Sequence, residues 1–358
     1  MPPDDQSAPS WPALLRELFA GNELSAERAQ WAMGEIMSGA VAPTQIAAFA
    51  TALTMKGPSA DELEGLAEAM RERSVPLAVQ HPCVDIVGTG GDGLDTANIS
   101  TLAALVTAAC GVPVVKHGSR AASSASGSAD ALEKLGVRVD LGPEDLARCV
   151  AQTGIGFCFA QRYHPSMREL APVRRELRVP TVFNVLGPLA NPARPRFGLI
   201  GCSWSSLAEA MAEVFARRGD RVAVVRGADG LDELTTTGGN DVWFADGGRV
   251  VRLSLDAADF GVPRAQIGQL RGGRNVTEAA SLVTAVLGLG ERQHTGEWDV
   301  DAIRDVVRWN AAVAVAVARG RRLDRAGVGV SLQEASEALA NGAAGELLRR
   351  WVSFSSSL

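Results

Sequence analysis

From Cys83 onward, short β-branched runs alternate with alanine-rich stretches of helical spacing, and few folds accept that rhythm. Residues 84–87, 112–115 and 137–139 read as strands, with helices over 99–109 and 129–135 between them. Strands linked through helices pair in parallel, so the chain is predicted to build an α/β layer around a largely parallel central sheet. Runs at 157–160, 199–201, 222–226 and 250–253 continue the strands, with a helix over 207–217. Helices return at 276–287, 300–318, 332–340 and 344–352.

The preceding residues have a different texture. From Trp11 to Arg73, apolar side chains recur at helical spacing, as in Met33, Ile36 and Met37, or Ile46, Phe49, Ala50 and Leu53. Ser25 precedes one helix, Pro43 opens another, and Gly57-Pro58-Ser59 ends that one and starts the next. The expected organisation is a disordered tail over 1–10, a small all-α domain over 11–78 with room for later helices, and an α/β domain with C-terminal helices over 79–358.

Composition narrows the function classes. The 358 residues are 46% hydrophobic and 21% charged, which suits a folded globular chain. Lys plus Arg total 35 against 41 Asp plus Glu, a net charge of −6, so no overall field draws a nucleic acid and any anion must be held locally. The basic cluster Arg319, Arg321, Arg322 and Arg325 reads as the solvated end of a helix. The five cysteines include no C-x-x-C pair, which predicts reduced thiols and a cytoplasmic protein. The opening MPPDDQSAPS lacks the basic and apolar regions of a signal peptide, and the most apolar stretches are too short for a bilayer or broken by Gly111 and Pro113. No membrane span is expected.

Chemistry first shows where Val84-Asp85-Ile86-Val87 runs into Gly88-Thr89-Gly90-Gly91-Asp92-Gly93 and Asn98-Ile99-Ser100-Thr101 opens a helix. Such a turn makes a phosphate cradle, because backbone N–H groups converge and the helix N-terminus favours negative charge. The loop also spells G-x-G-x-x-G, but a dinucleotide site needs the helix to start inside the motif and an acid about 20 residues further on. Here the helix starts late, and the next strand ends in Lys116-His117. A glycine turn without a ligand is the remaining alternative for this loop alone. Residues 116–128, rich in serine, glycine and cations, form a second strand-to-helix turn, and two such turns from neighbouring parallel strands face one crevice. Together they point to a phosphate-rich ligand.

GTGGDG followed by NIST, then KHG with SS and SGSAD, then YHPSM, VRREL, FNVLGPLANP and GLDEL closely resemble anthranilate phosphoribosyltransferases from about Trp11 to the C-terminus. The resemblance implies a small helical domain on an α/β domain, a fold shared with pyrimidine nucleoside phosphorylases, and a homodimer formed through the helical domains. It also implies Mg2+-dependent transfer of the phosphoribosyl group of phosphoribosyl pyrophosphate to the amine of anthranilate, in tryptophan biosynthesis. By the same resemblance, Gly88, Gly91, Asp92, Thr96, Asn98, Ser100, Thr101, Lys116, Ser124 and Ser128 hold the donor, and Ser100, Asp232 and Glu233 hold magnesium. Gly88, His117, Ser119, Ala160, His164, Met167 and Arg174 contact the acceptor, an aromatic carboxylic acid.

The chemistry agrees with these assignments. Magnesium takes hard oxygen ligands, few of them from protein, so a serine oxygen and two adjacent carboxylates suffice. Lys116 neutralises a leaving pyrophosphate, and an arylamine carries its lone pair free at neutral pH, so no strong general base is demanded. Arg174 is the natural clamp for a carboxylate, and in one continuous helix it would share a face with Met167. Neither His117 nor His164 has transition-metal spacing; the first could simply support its turn and the second cap a helix.

Three positions depart from the family pattern: Ser119 in place of Asn, Gln161 in place of Pro, and Met167 in place of Tyr. All lie on the acceptor side, which raises the alternative of a paralogue that phosphoribosylates another aromatic acid. A nucleoside phosphorylase on this fold would lack the Asp232-Glu233 pair, and a non-catalytic nucleic-acid binder would carry a basic stripe.

Overall fold

The computed structural model describes residues 9–120, 126–289 and 298–358. Most of the expected tail, residues 1–8, and Ser124 lie outside the described residues.

Four helices come first: α1 (Trp11–Phe19), α2 (Ala26–Ser38), α3 (Pro43–Lys56) and α4 (Ala60–Glu72). Ser25 caps α2 by accepting from the Arg28 amide, and Ser59 and Glu62 form a reciprocal capping box on α4. The α/β part runs β1 (Val84–Gly88), α5 (Ile99–Ala109), β2 (Val114–Gly118), α6 (Ser128–Lys134), α7 (Pro143–Thr153), β3 (Ile155–Phe159) and α8 (Ala160–Tyr163). A 3-10 turn (Pro165–Leu170) precedes α9 (Ala171–Leu177) and α10 (Leu186–Leu189). Then follow β4 (Phe197–Gly201), α11 (Ser205–Arg217), β5 (Arg221–Gly227), β6 (Gly239–Asp246), β7 (Arg249–Asp256), α12 (Val276–Val286), α13 (Val300–Ala318), α14 (Arg325–Ala340) and α15 (Ala343–Ser356).

Among the described residues the strands form one sheet in the order β3-β2-β1-β4-β5-β6-β7. Strands β3 through β5 are parallel, and β6 and β7 add an antiparallel hairpin at the edge. Both faces are covered. Along β5, Ala223 and Val225 join the core beneath α5, α13 and α15, while Val222 and Val224 join the core shared by α11 and α1–α4. α13 is buried on nearly every side, as an apolar helix must be when it lies inside a domain.

Two expectations need correction. Residues 137–139 form no strand: Val137 and Val139 are buried in the core, and the Arg138 amide donates to Ser355 Oγ at 3.1 Å instead of to a neighbouring strand. Met167 and Arg174 do not share one helix either. Pro172 lacks an amide proton to continue the turn, so the 3-10 stretch ends and α9 begins anew.

Candidate active site

The chain runs from β1 outward to β2 and β3, then returns to β4 on the other side of β1, so the sheet order reverses between β1 and β4. Ligands of open α/β sheets bind outside the carboxyl ends of strands at such a point. Gly88 ends β1 and Gly201 ends β4, and the loop carrying Asp232 lies across both. A Cβ on Gly88 would stand 2.0 Å from Asp232 Oδ2, and one on Gly201 would stand 1.4 Å from the Asp232 carbonyl oxygen. Only glycine permits that approach.

The acidic pair is built into the phosphate cradle. Asp232 Oδ2 accepts from the Gly90 amide at 2.6 Å, and Glu233 Oε1 accepts from the Ser100 amide at 3.1 Å, in the first turn of α5. Asn98 makes no side-chain cap there, so a carboxylate from a distant loop does that work. Asn310 on α13 grips Leu234 from both sides, accepting its amide at 3.0 Å and donating to its carbonyl at 2.7 Å. Burial, and next the charge of Asp92, push the Asp232 carboxyl up to about 7; burial and then Asp232 push Glu233 well above the usual range.

Lys116 is buried at the end of β2, where Nζ donates to the Ile86 carbonyl at 2.6 Å and to Ser100 Oγ at 3.1 Å. Burial lowers it to about 8, against the opposing pull of Asp85, Glu233 and Asp232. Lys116, Ser100, Glu233, Asp232 and the glycine loop are therefore one hydrogen-bonded unit. Asp92 sits beside it and accepts from the Leu94 amide at 3.1 Å.

His117 and His164 form a second centre, their rings 5.1 Å apart. A carbonyl can only accept, so the 2.9 Å contact of His117 Nδ1 with Gly187 O places the proton on Nδ1. Burial, then His164, lowers His117 to about 3, and burial lowers His164 to about 4; both rings are neutral at neutral pH. Arg174 on α9 is part-buried and makes no side-chain hydrogen bond or ion pair among the described residues. A guanidinium in that condition is a ready receptor for a carboxylate.

The remaining expected residues are placed less tightly. Asn98 Nδ2 donates to Ser126 O at 3.3 Å, linking the two phosphate-type turns, and Ser128 opens α6. Gly91 is exposed, Thr96 bridges to Arg271, and Thr101 is buried in α5. Ser119 is exposed, with its hydroxyl donating to the Arg120 carbonyl at 3.0 Å, while Ala160 begins α8 and Met167 packs against the helical core.

Residue-level reading of the sequence overlooked Asp85, Gly187, Asn191 and Asn310. Asp85 left a signal, a lone carboxylate inside an apolar strand run, and Gly187 and Asn191 fall within FNVLGPLANP. Asn310 left none in its buried helix.

The chain matches the helical bundle domain of the glycosyl transferase family over residues 12–74 and its a/b domain over residues 80–345. It is 51% identical to the anthranilate phosphoribosyltransferases of Mycolicibacterium paratuberculosis and Mycolicibacterium smegmatis, covering 99% of this chain and 96% of each relative. A crystal structure of the Thermus thermophilus anthranilate phosphoribosyltransferase superposes with a TM-score of 0.85 at 40% identity, over 96% of this chain and 99% of that one. The Saccharomyces cerevisiae enzyme in complex with phosphoribosyl pyrophosphate and magnesium gives a TM-score of 0.85 at 26% identity, over 97% and 98% of the two chains.

Proposed function

The chain belongs to the anthranilate phosphoribosyltransferase family, and on that premise we propose how its residues carry the reaction. It transfers the 5-phosphoribosyl group of phosphoribosyl pyrophosphate to the amine of anthranilate and releases pyrophosphate. The observation that supports this best is the bonded unit of glycine loop, α5 N-terminus, Asp232-Glu233 and Lys116 at the β1/β4 switch point.

The donor set fits Mg2+. Two carboxyls raised by desolvation, Asp232 next by Asp92 and Glu233 next by Asp232, with a serine hydroxyl close by, offer hard oxygens whose crowding a dication would relieve. Magnesium completes its shell with phosphate oxygens and water, so few protein oxygens are needed. Asp232, Glu233 and Ser100 would hold it, and when bound it supplies positive charge against the departing pyrophosphate.

Lys116 adds a fixed ammonium to the same end of the site. The loop amides and the first turn of α5 bind and orient the donor, with Gly88, Gly91, Asp92, Thr96, Asn98, Thr101 and Ser128 around it. Neutral His117 and His164, together with Ala160 and Met167, wall the acceptor. They leave the arylamine lone pair unprotonated, and Arg174 fixes the carboxylate so that the amine faces the ribose carbon. Pairing through the helical domain is part of this reading, supported by exposed Phe19 at the end of α1 and Met55 on α3. A cytoplasmic location is supported by five unpaired thiols.

The test is pyrophosphate release from phosphoribosyl pyrophosphate and Mg2+ with anthranilate, compared with substituted aminobenzoates and hydroxybenzoates. Selective turnover of anthranilate is expected; turnover of another acid in its place would overturn the acceptor assignment. The identity to curated anthranilate enzymes supports anthranilate despite Ser119, Gln161 and Met167.

A further inference from the structure

β1 and β2 are neighbours, yet they share only the pair Val84↔Val114, whereas β1 stays in register with β4 from Val84↔Phe197 to Gly88↔Gly201, and β2 with β3 from Val114↔Ile155 to Gly118↔Phe159. Beyond the first rung the ladder pairing stops although the strands stay adjacent, and side chains take backbone groups a ladder would have used. Asp85 Oδ1 accepts the His117 amide at 3.1 Å, Asn191 Nδ2 donates to the Val115 carbonyl at 3.0 Å, and Lys116 Nζ donates to the Ile86 carbonyl at 2.6 Å. Asn191 Nδ2 also reaches Asp85 Oδ2 at 2.8 Å, which closes the network.

A regular parallel pair would satisfy these groups without burying any charge. Here a carboxylate 1% exposed stands among them, and Lys116, the cation that acts on it, spends its hydrogen bonds on the Ile86 carbonyl and Ser100 Oγ. Burying that charge costs stability, and apolar packing would serve the fold better. The cost falls at the rungs of Lys116 and His117, the two β2 residues that the proposed function assigns to the donor and the acceptor.

We propose that Asp85, with Asn191, is a positioning residue for the acceptor: the pair replaces the ladder between β1 and β2 and fixes the backbone of His117. Asp85 touches neither substrate; it acts through His117, whose ring is held at its other end by Gly187. Lys116 is tied independently to Ser100 on the donor side, so the effect falls on the acceptor. The inference rests on the phosphoribosyl-transfer reading above.

Steady-state kinetics of the parent, Asp85→Asn and Asn191→Ala test it, varying anthranilate at saturating phosphoribosyl pyrophosphate and Mg2+, then the reverse. In Asp85→Asn an amide donor faces the Asn191 amide, and the KM for anthranilate should rise about tenfold to hundredfold, the size of a lost hydrogen bond to charge. Asn191→Ala leaves the bond to His117 in place and should raise it about threefold to tenfold. The KM for phosphoribosyl pyrophosphate should stay within about twofold, below the value of one ordinary hydrogen bond. A purely structural role would lower kcat with the folded fraction and leave both KM values alone, and that result overturns the proposal, as does an equal rise in both. Should Asp85→Asn fail to fold, Asn191→Ala decides by the same criterion. A parent inert toward anthranilate overturns the function itself and this inference with it, whereas an active parent whose variants keep their KM overturns this inference alone.

Discussion

Replacing Arg174 separates binding from stability, because nothing in the described chain depends on its guanidinium. The side chain is part-buried without a hydrogen-bond or ion-pair partner, and burial alone depresses its pKa. Removing an uncompensated buried charge should leave folding unchanged or improved, so the melting temperature of Arg174→Gln should match or exceed the parent's. A bond between a guanidinium and a carboxylate contributes about 1.5–3 kcal/mol, and each 1.4 kcal/mol is about tenfold, so the KM for anthranilate should rise about tenfold to hundredfold. The assay is pyrophosphate release over a range of anthranilate, repeated with aniline, which has the amine without the carboxylate. Parent enzyme should prefer anthranilate by that same factor, and the variant should lose the preference. Stable Arg174→Gln enzyme with an unchanged anthranilate KM, or one that discriminates against aniline as strongly as the parent, would refute the clamp.

Three further outcomes follow from the same geometry. Burial holds His164 near 4, below the ordinary value near 6.5, so the unfolded chain takes up this proton first. Its contribution to stability is complete above about pH 6.5 and is lost on acidification at about 1.4 kcal/mol per pH unit. Urea titrations should show a stability line flatter by that slope in His164→Gln between pH 4.5 and 6, and parallel lines would count against it. Gly201→Ala places a methyl 1.4 Å from the Asp232 carbonyl oxygen, so the acidic loop must shift; turnover should fall at least about a hundredfold, since ångström-scale misplacement costs that much, and near-normal kcat would contradict the contact. Asp232→Asn removes a desolvated carboxyl crowded by Asp92 that itself raises Glu233, so in chelator without Mg2+ it should melt above the parent while losing most turnover; a lower melting point in chelator would contradict the electrostatic account.

Local features of this site could be read from the sequence. The glycine turn, the polar start of α5 at Ile99 and the cation at the end of β2 follow one another along the chain, and each owes its geometry to near neighbours. Asp232-Glu233 was different: a bare acidic pair in a loop looks solvated, and only the surrounding motifs marked it. The residue that follows the pair, Leu234, is held by Asn310 across 76 residues of sequence. The expected strand at 137–139 shows the opposite failure. Alternating valines mark burial on one side, but a strand also needs a partner, and here the Arg138 amide is taken by Ser355 on α15. β6 is hard to read from sequence because Gly239-Asn240-Asp241 has the composition of a turn, although Asn240 is buried and its side chain donates to the Thr235 and Leu255 carbonyls, both at 3.1 Å. The interrupted ladder between β1 and β2 left a single trace, the carboxylate of Asp85 in an otherwise apolar run.

That interruption also explains how one crevice holds two ligands of like sign without confusing them. On the β1/β4 side the Asp92, Asp232 and Glu233 carboxyls crowd one corner, and the cation there, Lys116, already donates to the Ile86 carbonyl and Ser100 Oγ, so a free carboxylate gains little. On the β1/β2 side burial keeps both histidines neutral, and in the proposed reading the acceptor's carboxylate goes to Arg174 on α9, which makes no side-chain hydrogen bond or ion pair among the described residues. On that reading an aromatic acid is drawn by its carboxylate away from the acidic end, and its amine is left pointing toward the donor. At about 4 Å and an effective dielectric near 20, a pair of unit charges interacts by about 4 kcal/mol, so even partial exposure leaves enough to decide orientation. In the proposed reading, selectivity for which end of the acceptor enters first comes from the difference between two strand junctions, and the buried Asp85 between those junctions then belongs to the site as much as the residues that face it.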